Sequence, residues 1–174
     1  LSGHRDLGVH TELFSDGFVD LVEAGVVNGV YKGRHANRSV TTFALGTQRL
    51  YDFLHANPAV ELLTVDFVND PRVIAQEPRM VSINATTEVD ILGQAASETI
   101  AGRYYSGSGG QADFARGAMF SEAGSAFLVT RSTTSKGRSR IVSCLTPGSV
   151  VTTLKNTVDK VVTEWGVAEL RGAS

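Results

Sequence analysis

The sequence predicts an α/β fold in which a largely parallel sheet is flanked by helices. Segments rich in β-branched and aromatic residues alternate along the chain with segments whose apolar residues have helical spacing. Such alternation is typical of βαβ units, in which helices connect parallel strands. Hydrophobic residues make up 42% of the chain and charged residues 20%, a composition that is typical of a folded globular domain.

The first half of the chain contains the clearest helical pattern. Phe18, Leu21 and Val22 fall on one face of a helix predicted over residues 17–27. The other predicted elements here are strands at 38–45 and 62–68, a helix at 47–56 that Asn57-Pro58 ends, and a short helix that Asp70-Pro71 opens.

The second half of the chain is richer in predicted strands. These strands cover residues 80–85, 88–92, 127–131, 141–145 and 158–163. A helix is predicted at 113–123, directly after a flexible turn at Gly107–Gly110. We find no repeat, low-complexity tract or linker that would divide the chain.

Length and charge exclude several classes of protein. The 174 residues suffice for one domain or slightly more, and 16 basic against 18 acidic residues give a net charge of −2. This balance gives no reason to expect nucleic acid or an anionic membrane as a partner. Cys144 is the single cysteine, so no internal disulfide is possible, and no secretory leader opens the sequence. We therefore expect a cytoplasmic protein, and because Leu1 is not a methionine we expect part of a longer one.

Two segments have the composition of anion-binding loops. Gly107, Gly109 and Gly110 lie just before a predicted helix, where backbone N–H groups can hold a phosphate or an oxyanion. The segment Arg131–Arg140 carries four positive charges among several hydroxyl groups, which suits a diphosphate or a carboxylate. The alternative for both is an ordinary solvated loop, and neither matches a known phosphate-binding motif.

Two glutamates are candidate nucleophiles. Glu12 follows His10-Thr11 and precedes a predicted helix, and Glu88 lies in Thr86-Thr87-Glu88-Val89-Asp90. A carboxylate can attack an activated acyl group and divide a difficult exchange into easier steps. The spacing of the residues does not decide between Glu12 and Glu88, and helix caps or surface charges are the alternative. The four histidines form no metal-binding pair, and no GxSxG motif indicates a serine hydrolase.

A series of motifs in order along nearly the whole chain resembles one family. The motifs are Asp6–Glu12, Ser15-Asp16-Gly17, Ile83-Asn84-Ala85, Glu88-Val89-Asp90, Gly107–Gln111, Asp113–Ala118, Val158-Asp159 and Val161–Ala168. Together they resemble the C-terminal domain of the acetyl-CoA hydrolase/transferase family, and in particular CoA-transferases of the 4-hydroxybutyrate type. Trp165 stands where the resemblance leads us to expect tyrosine.

The resemblance implies a ping-pong acyl-CoA:carboxylate CoA-transferase whose fold is a CoA-transferase-like α/β domain. It places the nucleophile on Glu12, which would form an acyl anhydride and then a glutamyl-CoA thioester. It places an oxyanion donor on the amide of Gly110, with Gly107 and Gly109 allowing close approach of the substrate. Asn69 would hold the reacting carboxylate or acyl oxygen. The resemblance further assigns CoA contacts to Asn84 and Lys136. It implies a structural role for Glu88, which stays the second candidate for the nucleophile.

The resemblance also implies partners. Members of the family carry an N-terminal domain that supplies part of the CoA site, so residues 1–174 would be the C-terminal catalytic domain, inactive or weak by itself. A homodimer is expected, with acyl-CoA and small carboxylates as substrates and no metal, nicotinamide or flavin. Acetyl, 4-hydroxybutyryl, butyryl and succinyl groups all remain open. The alternatives are an acetyl-CoA hydrolase that uses the same glutamate, or a non-catalytic CoA-binding module.

Overall fold

The computed structural model describes residues 1–172 and divides into two compact units. Unit 1 covers Leu1–Pro78, and unit 2 begins at Arg79. Each unit contains helices and hydrogen-bonded strands, and most of the strand pairs in the larger sheets are parallel. The predicted α/β class, with parallel sheets and flanking helices, is confirmed.

Unit 1 is built on a three-stranded parallel sheet with the order β1-β2-β3. Its elements are β1 (His10–Phe14), α1 (Asp16–Glu23), β2 (Ser39–Ala44), α2 (Gln48–Leu54), β3 (Val60–Leu62), α3 (Val65–Val68) and α4 (Pro71–Ile74). Asp70 caps α4 by accepting a hydrogen bond from the Arg72 amide at 2.8 Å, and Pro71 occupies the first turn.

The core of unit 1 lies where β1 meets α1 and α2. Phe14, Val19 and Leu50 are fully buried there. The ring of Phe14 stacks on Phe18 with 5.0 Å between centroids, and on Phe53 at 6.3 Å. Phe14 thereby fixes the carboxyl end of β1 in the core.

The strand predicted at 62–68 is wrong. The chain leaves β3 after Leu62, and the amides of Phe67 and Val68 bond to the Thr64 carbonyl at 3.1 and 3.0 Å, so that α3 forms instead. The run of apolar residues suited a strand, but helix and strand cannot be told apart by periodicity in so short a segment.

Unit 2 contains a four-stranded sheet with the order β12-β11-β9-β4, in which the antiparallel hairpin β11-β12 extends a parallel core. The sheet consists of β4 (Val81–Ala85), β9 (Ser125–Val129), β11 (Lys160–Thr163) and β12 (Gly166–Glu169). The remaining elements are β5 (Glu88–Asp90), β6 (Ala95–Ala96), β7 (Thr99–Ile100), β8 (Arg103–Tyr104), α5 (Gln111–Phe120) and β10 (Ile141–Val142).

Small apolar clusters contribute to the core of unit 2. Helix α5 places Ala115 and Ala118 against Ala126 of β9, where the small side chains permit a close approach of helix and sheet. A second cluster brings Leu128 and Val161 of the sheet together with Val89 of β5. Within residues 1–172, no helix is long and apolar enough to cross a membrane.

Substitution of the core residue Leu50 tests the packing of unit 1. Leu50 is fully buried, so Leu50→Ala should lower the free energy of unfolding by about 2–5 kcal/mol. Leu45, with 65% of its surface exposed, is the matched control, and Leu45→Ala should change stability by about 0.5 kcal/mol or less. Urea denaturation followed by circular dichroism measures both; equal losses in the two variants would contradict this core assignment.

Candidate active site

Glu12 lies in the middle of β1 and is half-buried. Its backbone is held from the neighbouring strand, because the hydroxyl of the fully buried Thr41 lies 3.0 Å from the Glu12 carbonyl oxygen. The parallel pairing of Thr11 with Thr41 and of Leu13 with Phe43 fixes the register on both sides of Glu12. The predicted nucleophile is therefore carried by a rigid strand and not by a mobile loop.

A buried ion pair anchors the chain just before β1. Lys32 Nζ donates to the Val9 carbonyl oxygen at 2.8 Å and lies 3.5 Å from Glu77 Oε1, and both charged side chains are buried. Glu77 Oε2 also accepts the amide of Gly33 at 2.8 Å. Burial lowers the pKa of Lys32 from its ordinary 10.5, and the Glu77 carboxylate opposes that change.

Gly8 is required by the path of Lys32. A Cβ atom at position 8 would come within 2.5 Å of Lys32 Cγ, so the aliphatic part of Lys32 lies directly over this glycine. A side chain there would displace Lys32 and with it the ammonium group that contacts Val9. The Gly8-Val9-His10 sequence thus serves the positioning of β1.

His10 connects β1 to the end of α3. Its Nε2 atom lies 2.8 Å from the Val68 carbonyl oxygen, and the side chain is buried. Burial lowers the pKa of His10 from its ordinary 6.5; the bond to Val68 opposes this change and the Lys32 ammonium group reinforces it. A carbonyl oxygen only accepts hydrogen bonds, so Nε2 is the ring nitrogen that donates to Val68.

Asn69 directly follows the carbonyl group that His10 binds. It ends α3, and its amide donates to the Val65 carbonyl at 2.9 Å. Its Oδ1 atom is buried and has no hydrogen-bond partner within residues 1–172. The structure thus ties Asn69 to the strand that carries Glu12, two positions before that glutamate.

Unit 2 holds the predicted glycine segment. Gly109 has a φ of +57°, which glycine adopts without strain, and space is open around Gly107, where a Cβ would meet nothing within 4 Å. Gly110 is buried and occupies the N-cap position of α5, where its carbonyl accepts the Phe114 amide at 2.9 Å. The segment therefore leads directly into the amino end of a ten-residue helix.

Helix α5 runs antiparallel to β4, which determines where its amino end lies. The Met80 amide, just before β4, donates to Ser121 Oγ at 3.1 Å, just after α5. Ten helical residues span about 15 Å and five strand residues about 17 Å. The amino end of α5 therefore lies at the edge of the sheet where β4 and β9 end.

Asn84 and Lys136 belong to the same edge of unit 2. Asn84 is the penultimate residue of β4, half-buried, and its Nδ2 donates to Ser82 Oγ at 2.8 Å. Lys136 is exposed in a turn of the loop that follows β9. This turn is closed by a hydrogen bond of 2.8 Å, which the Thr134 amide donates to the Arg138 carbonyl. Unit 2 thus brings the glycine segment, Asn84 and the basic loop to one edge, while Glu12 and Asn69 belong to unit 1.

Glu88 is occupied by structural hydrogen bonds. Its Oε1 accepts the Thr146 amide at 2.8 Å and the Ser149 hydroxyl at 3.0 Å, and its Oε2 accepts the Thr146 hydroxyl at 2.8 Å. The carboxylate therefore fixes the 146–149 loop. Of the two glutamates that spacing left open, Glu88 has the geometry of a structural residue.

No pattern in the sequence indicates Lys32 or Glu77, and His10 was noted only as part of the His-Thr-Glu setting of Glu12 after a metal site was rejected. Lys32 and Glu77 lie in unrelated local sequences, and no spacing rule links them. Only the folded structure reveals their role, through the close contact of Lys32 with Gly8. Among the described residues, no three His, Cys, Asp or Glu side chains form a group that could hold a metal ion.

The sequence of this chain matches the profile of a known protein family. The sequence profile of the acetyl-CoA hydrolase/transferase C-terminal domain matches residues 46–174. The chain therefore belongs to the acetyl-CoA hydrolase/transferase family, as its motifs predict.

The individual relatives are similar over the whole chain. A succinyl-CoA:cyclohexane-1-carboxylate CoA transferase of Geobacter metallireducens is 56% identical over 97% of this chain and 39% of its own length. A 4-hydroxybutyrate coenzyme A transferase of Clostridium kluyveri is 49% identical over 99% of this chain and 40% of its own. The crystal structure of RipA from Yersinia pestis superposes with a TM-score of 0.93 at 44% identity, covering 100% of this chain and 39% of that one. This chain thus spans about two fifths of the length of these relatives.

The lowered pKa of His10 predicts a specific pH dependence of stability. As the pH falls, the unfolded chain takes up the histidine proton before the folded chain does, so folding stability decreases. The contribution is complete above the unfolded value of 6.5 and declines below it. Urea denaturation from about pH 7.5 to about pH 5 should show a larger loss for the natural chain than for His10→Gln. Parallel pH profiles of the two proteins would contradict this assignment.

The structural role of Glu88 can be measured without any substrate. Glu88→Ala removes the carboxylate that accepts hydrogen bonds from Thr146 and Ser149, so the 146–149 loop should loosen. Hydrogen exchange at the Thr146 amide should become about tenfold faster or more, which corresponds to the loss of about 1.4 kcal/mol of protection. Unchanged exchange at Thr146 would show that Glu88 does not hold this loop.

Proposed function

We propose that this chain is the C-terminal catalytic part of an acyl-CoA:carboxylate CoA-transferase of the 4-hydroxybutyrate/acetate type, with Glu12 as the nucleophile. The observation that carries the proposal is the setting of Glu12, a half-buried carboxylate in the middle of a strand that is fixed on both sides. Family membership and the names of the similar CoA transferases support the reaction class.

The proposed reaction passes twice through the Glu12 carboxylate. An oxygen of Glu12 attacks the thioester carbonyl carbon, the C–S bond breaks, and CoA leaves as a thiolate while a glutamyl-acyl anhydride forms. The thiolate then attacks the glutamyl carbonyl carbon, which releases the first carboxylate and leaves a glutamyl-CoA thioester. A second carboxylate reverses these steps and departs as the new acyl-CoA.

Each addition creates a tetrahedral oxyanion, which requires hydrogen-bond donors that are already in place. We assign one donor to the amide of Gly110 at the amino end of α5, and an acyl- or carboxylate-binding role to the side chain of Asn69. Both assignments are supported by the rigid positions of these residues.

The binding of CoA is assigned to the sheet edge of unit 2. Gly107 and Gly109 give a substrate access to the backbone, and Asn84 offers a side-chain amide. Lys136 supplies a point charge suited to phosphate. CoA enters as a substrate, and the chemistry uses no metal, nicotinamide or flavin.

The relatives extend well beyond the part that this chain matches. We propose that an N-terminal domain completes the enzyme, that the 174-residue chain alone has little or no activity, and that the whole protein is a homodimer. The preferred acyl group then depends on residues from both domains.

Replacement of Glu12 tests the nucleophile. In the longest form of the protein that contains this sequence, Glu12→Gln should lower acyl exchange by about 10³-fold or more, because the amide is a poor nucleophile. Treatment of the natural protein with acetyl-CoA and then borohydride should reduce a glutamyl-CoA thioester to an alcohol on the peptide that contains Glu12. Peptide mapping by mass spectrometry locates that alcohol.

Glu88→Gln is the matched control and should retain exchange. Reduction at Glu88, or normal exchange by Glu12→Gln, would refute the assignment. The ratio of exchange to hydrolysis in the presence of acetate separates a transferase from an acetyl-CoA hydrolase that uses the same glutamate. CoA binding without turnover would favour the non-catalytic binding module.

A further inference from the structure

Our inference concerns the buried histidine beside Glu12, and it rests on the proposed function. We propose that His10 is a positioning residue that sets Asn69 relative to Glu12 through its hydrogen bond to the Val68 carbonyl. His10 does not contact the substrate in this proposal and acts through Asn69.

The geometry of β1 places His10 and Glu12 on the same face of the strand. In a strand, side chains two residues apart point to the same face and lie about 7 Å from each other along the backbone. His10 and Glu12 are such a pair. A group that His10 holds is therefore tied to the face of β1 that carries Glu12.

His10 binds a carbonyl oxygen that directly precedes Asn69 in the chain. The Val68 carbonyl belongs to the peptide group whose nitrogen is that of Asn69. Both polar groups of this peptide plane are hydrogen-bonded. Its oxygen accepts from His10 Nε2 at 2.8 Å, and its N–H donates to the Val65 carbonyl at 2.9 Å. Because a peptide group is planar, two bonds suffice to fix its orientation and hence the start of the Asn69 side chain.

The side chain of Asn69 carries a polar atom that is buried and unsatisfied. Asn69 Oδ1 is buried without a hydrogen-bond partner in the part of the chain that the structure describes. A buried amide oxygen without a partner costs free energy, so its presence requires a reason, and a role in the site is one such reason. His10 therefore holds in place a residue whose own polar group is kept available.

The His10 ring is itself held in the form that this role requires. Charged groups near it are Lys32 and Glu77, which bind each other, and His35 lies farther along the same unit. The Val68 carbonyl oxygen only accepts, so Nε2 is the donor and the contact has one fixed direction.

Two substitutions distinguish the effect of the hydrogen bond from His10 to Val68 from the effect of the volume that the His10 side chain fills. The amide nitrogen of glutamine reaches about as far as Nε2 of histidine, so His10→Gln keeps the donor, whereas His10→Leu removes it. In the longest form of the protein, His10→Leu should lower kcat between about 10-fold and 100-fold with the KM for acyl-CoA within about twofold. His10→Gln should stay within about threefold of the natural kcat.

The combination with Asn69→Ala identifies the residue through which His10 acts. If His10 acts through Asn69, His10→Leu should lower kcat by less than about twofold further in an Asn69→Ala background. Equal effects of His10→Leu in both backgrounds would overturn the inference, and so would a His10→Gln variant as slow as His10→Leu. If His10→Leu fails to fold, His10→Asn replaces it, because its shorter side chain cannot reach the Val68 carbonyl.

A measurement on the 174-residue chain keeps this inference distinct from the proposed function. In ¹⁵N-resolved NMR spectra the backbone and side-chain amide signals of Asn69 should shift in His10→Leu and stay near their natural positions in His10→Gln. Absence of such a shift overturns the link between His10 and Asn69, whatever the kinetics show. Normal exchange by Glu12→Gln would instead overturn the assignment of the nucleophile and leave the NMR result standing.

Discussion

The parallel pairing of β1 with β2 is the constraint on which the rest of unit 1 depends. Strand β1 contains three polar residues in succession, His10, Thr11 and Glu12, and such a segment forms a strand in a packed unit only if each polar group has a partner. Thr41 of β2 and the Val68 carbonyl of α3 provide partners for this segment. The same contacts that make a polar strand possible also fix the backbone from which the Glu12 side chain extends.

The fold was largely predictable because most of its elements have a local signal. The periodicity of Phe18, Leu21 and Val22 indicated α1, and Asp70-Pro71 correctly indicated the start of α4. Strand β1 was not predicted, because His10–Phe14 has neither the alternation nor the β-branched content of a typical strand. The residues at 62–68 were assigned to a strand because four-residue helices are too short to show a period.

The candidate site was predictable only in part, for reasons of distance along the chain. Motif resemblance selected Glu12, whereas residue spacing alone left Glu12 and Glu88 equal. The three hydrogen bonds to the Glu88 carboxylate come from a loop about sixty residues later in the chain. No local sequence pattern predicts these bonds. The antiparallel course of α5 is likewise a property of packing, and it explains how Gly110, Asn84 and the basic loop come to one edge of unit 2.

The close packing of Lys32 on Gly8 also constrains how this sequence can vary. A side chain at position 8 would displace Lys32 or require a shorter residue at position 32, and either change would move the ammonium group away from the Val9 carbonyl and the buried Glu77 carboxylate. Position 77 would then have to become uncharged as well. Residues 8, 32 and 77 are therefore expected to change together among related sequences, although seventy positions of the chain separate the first from the last.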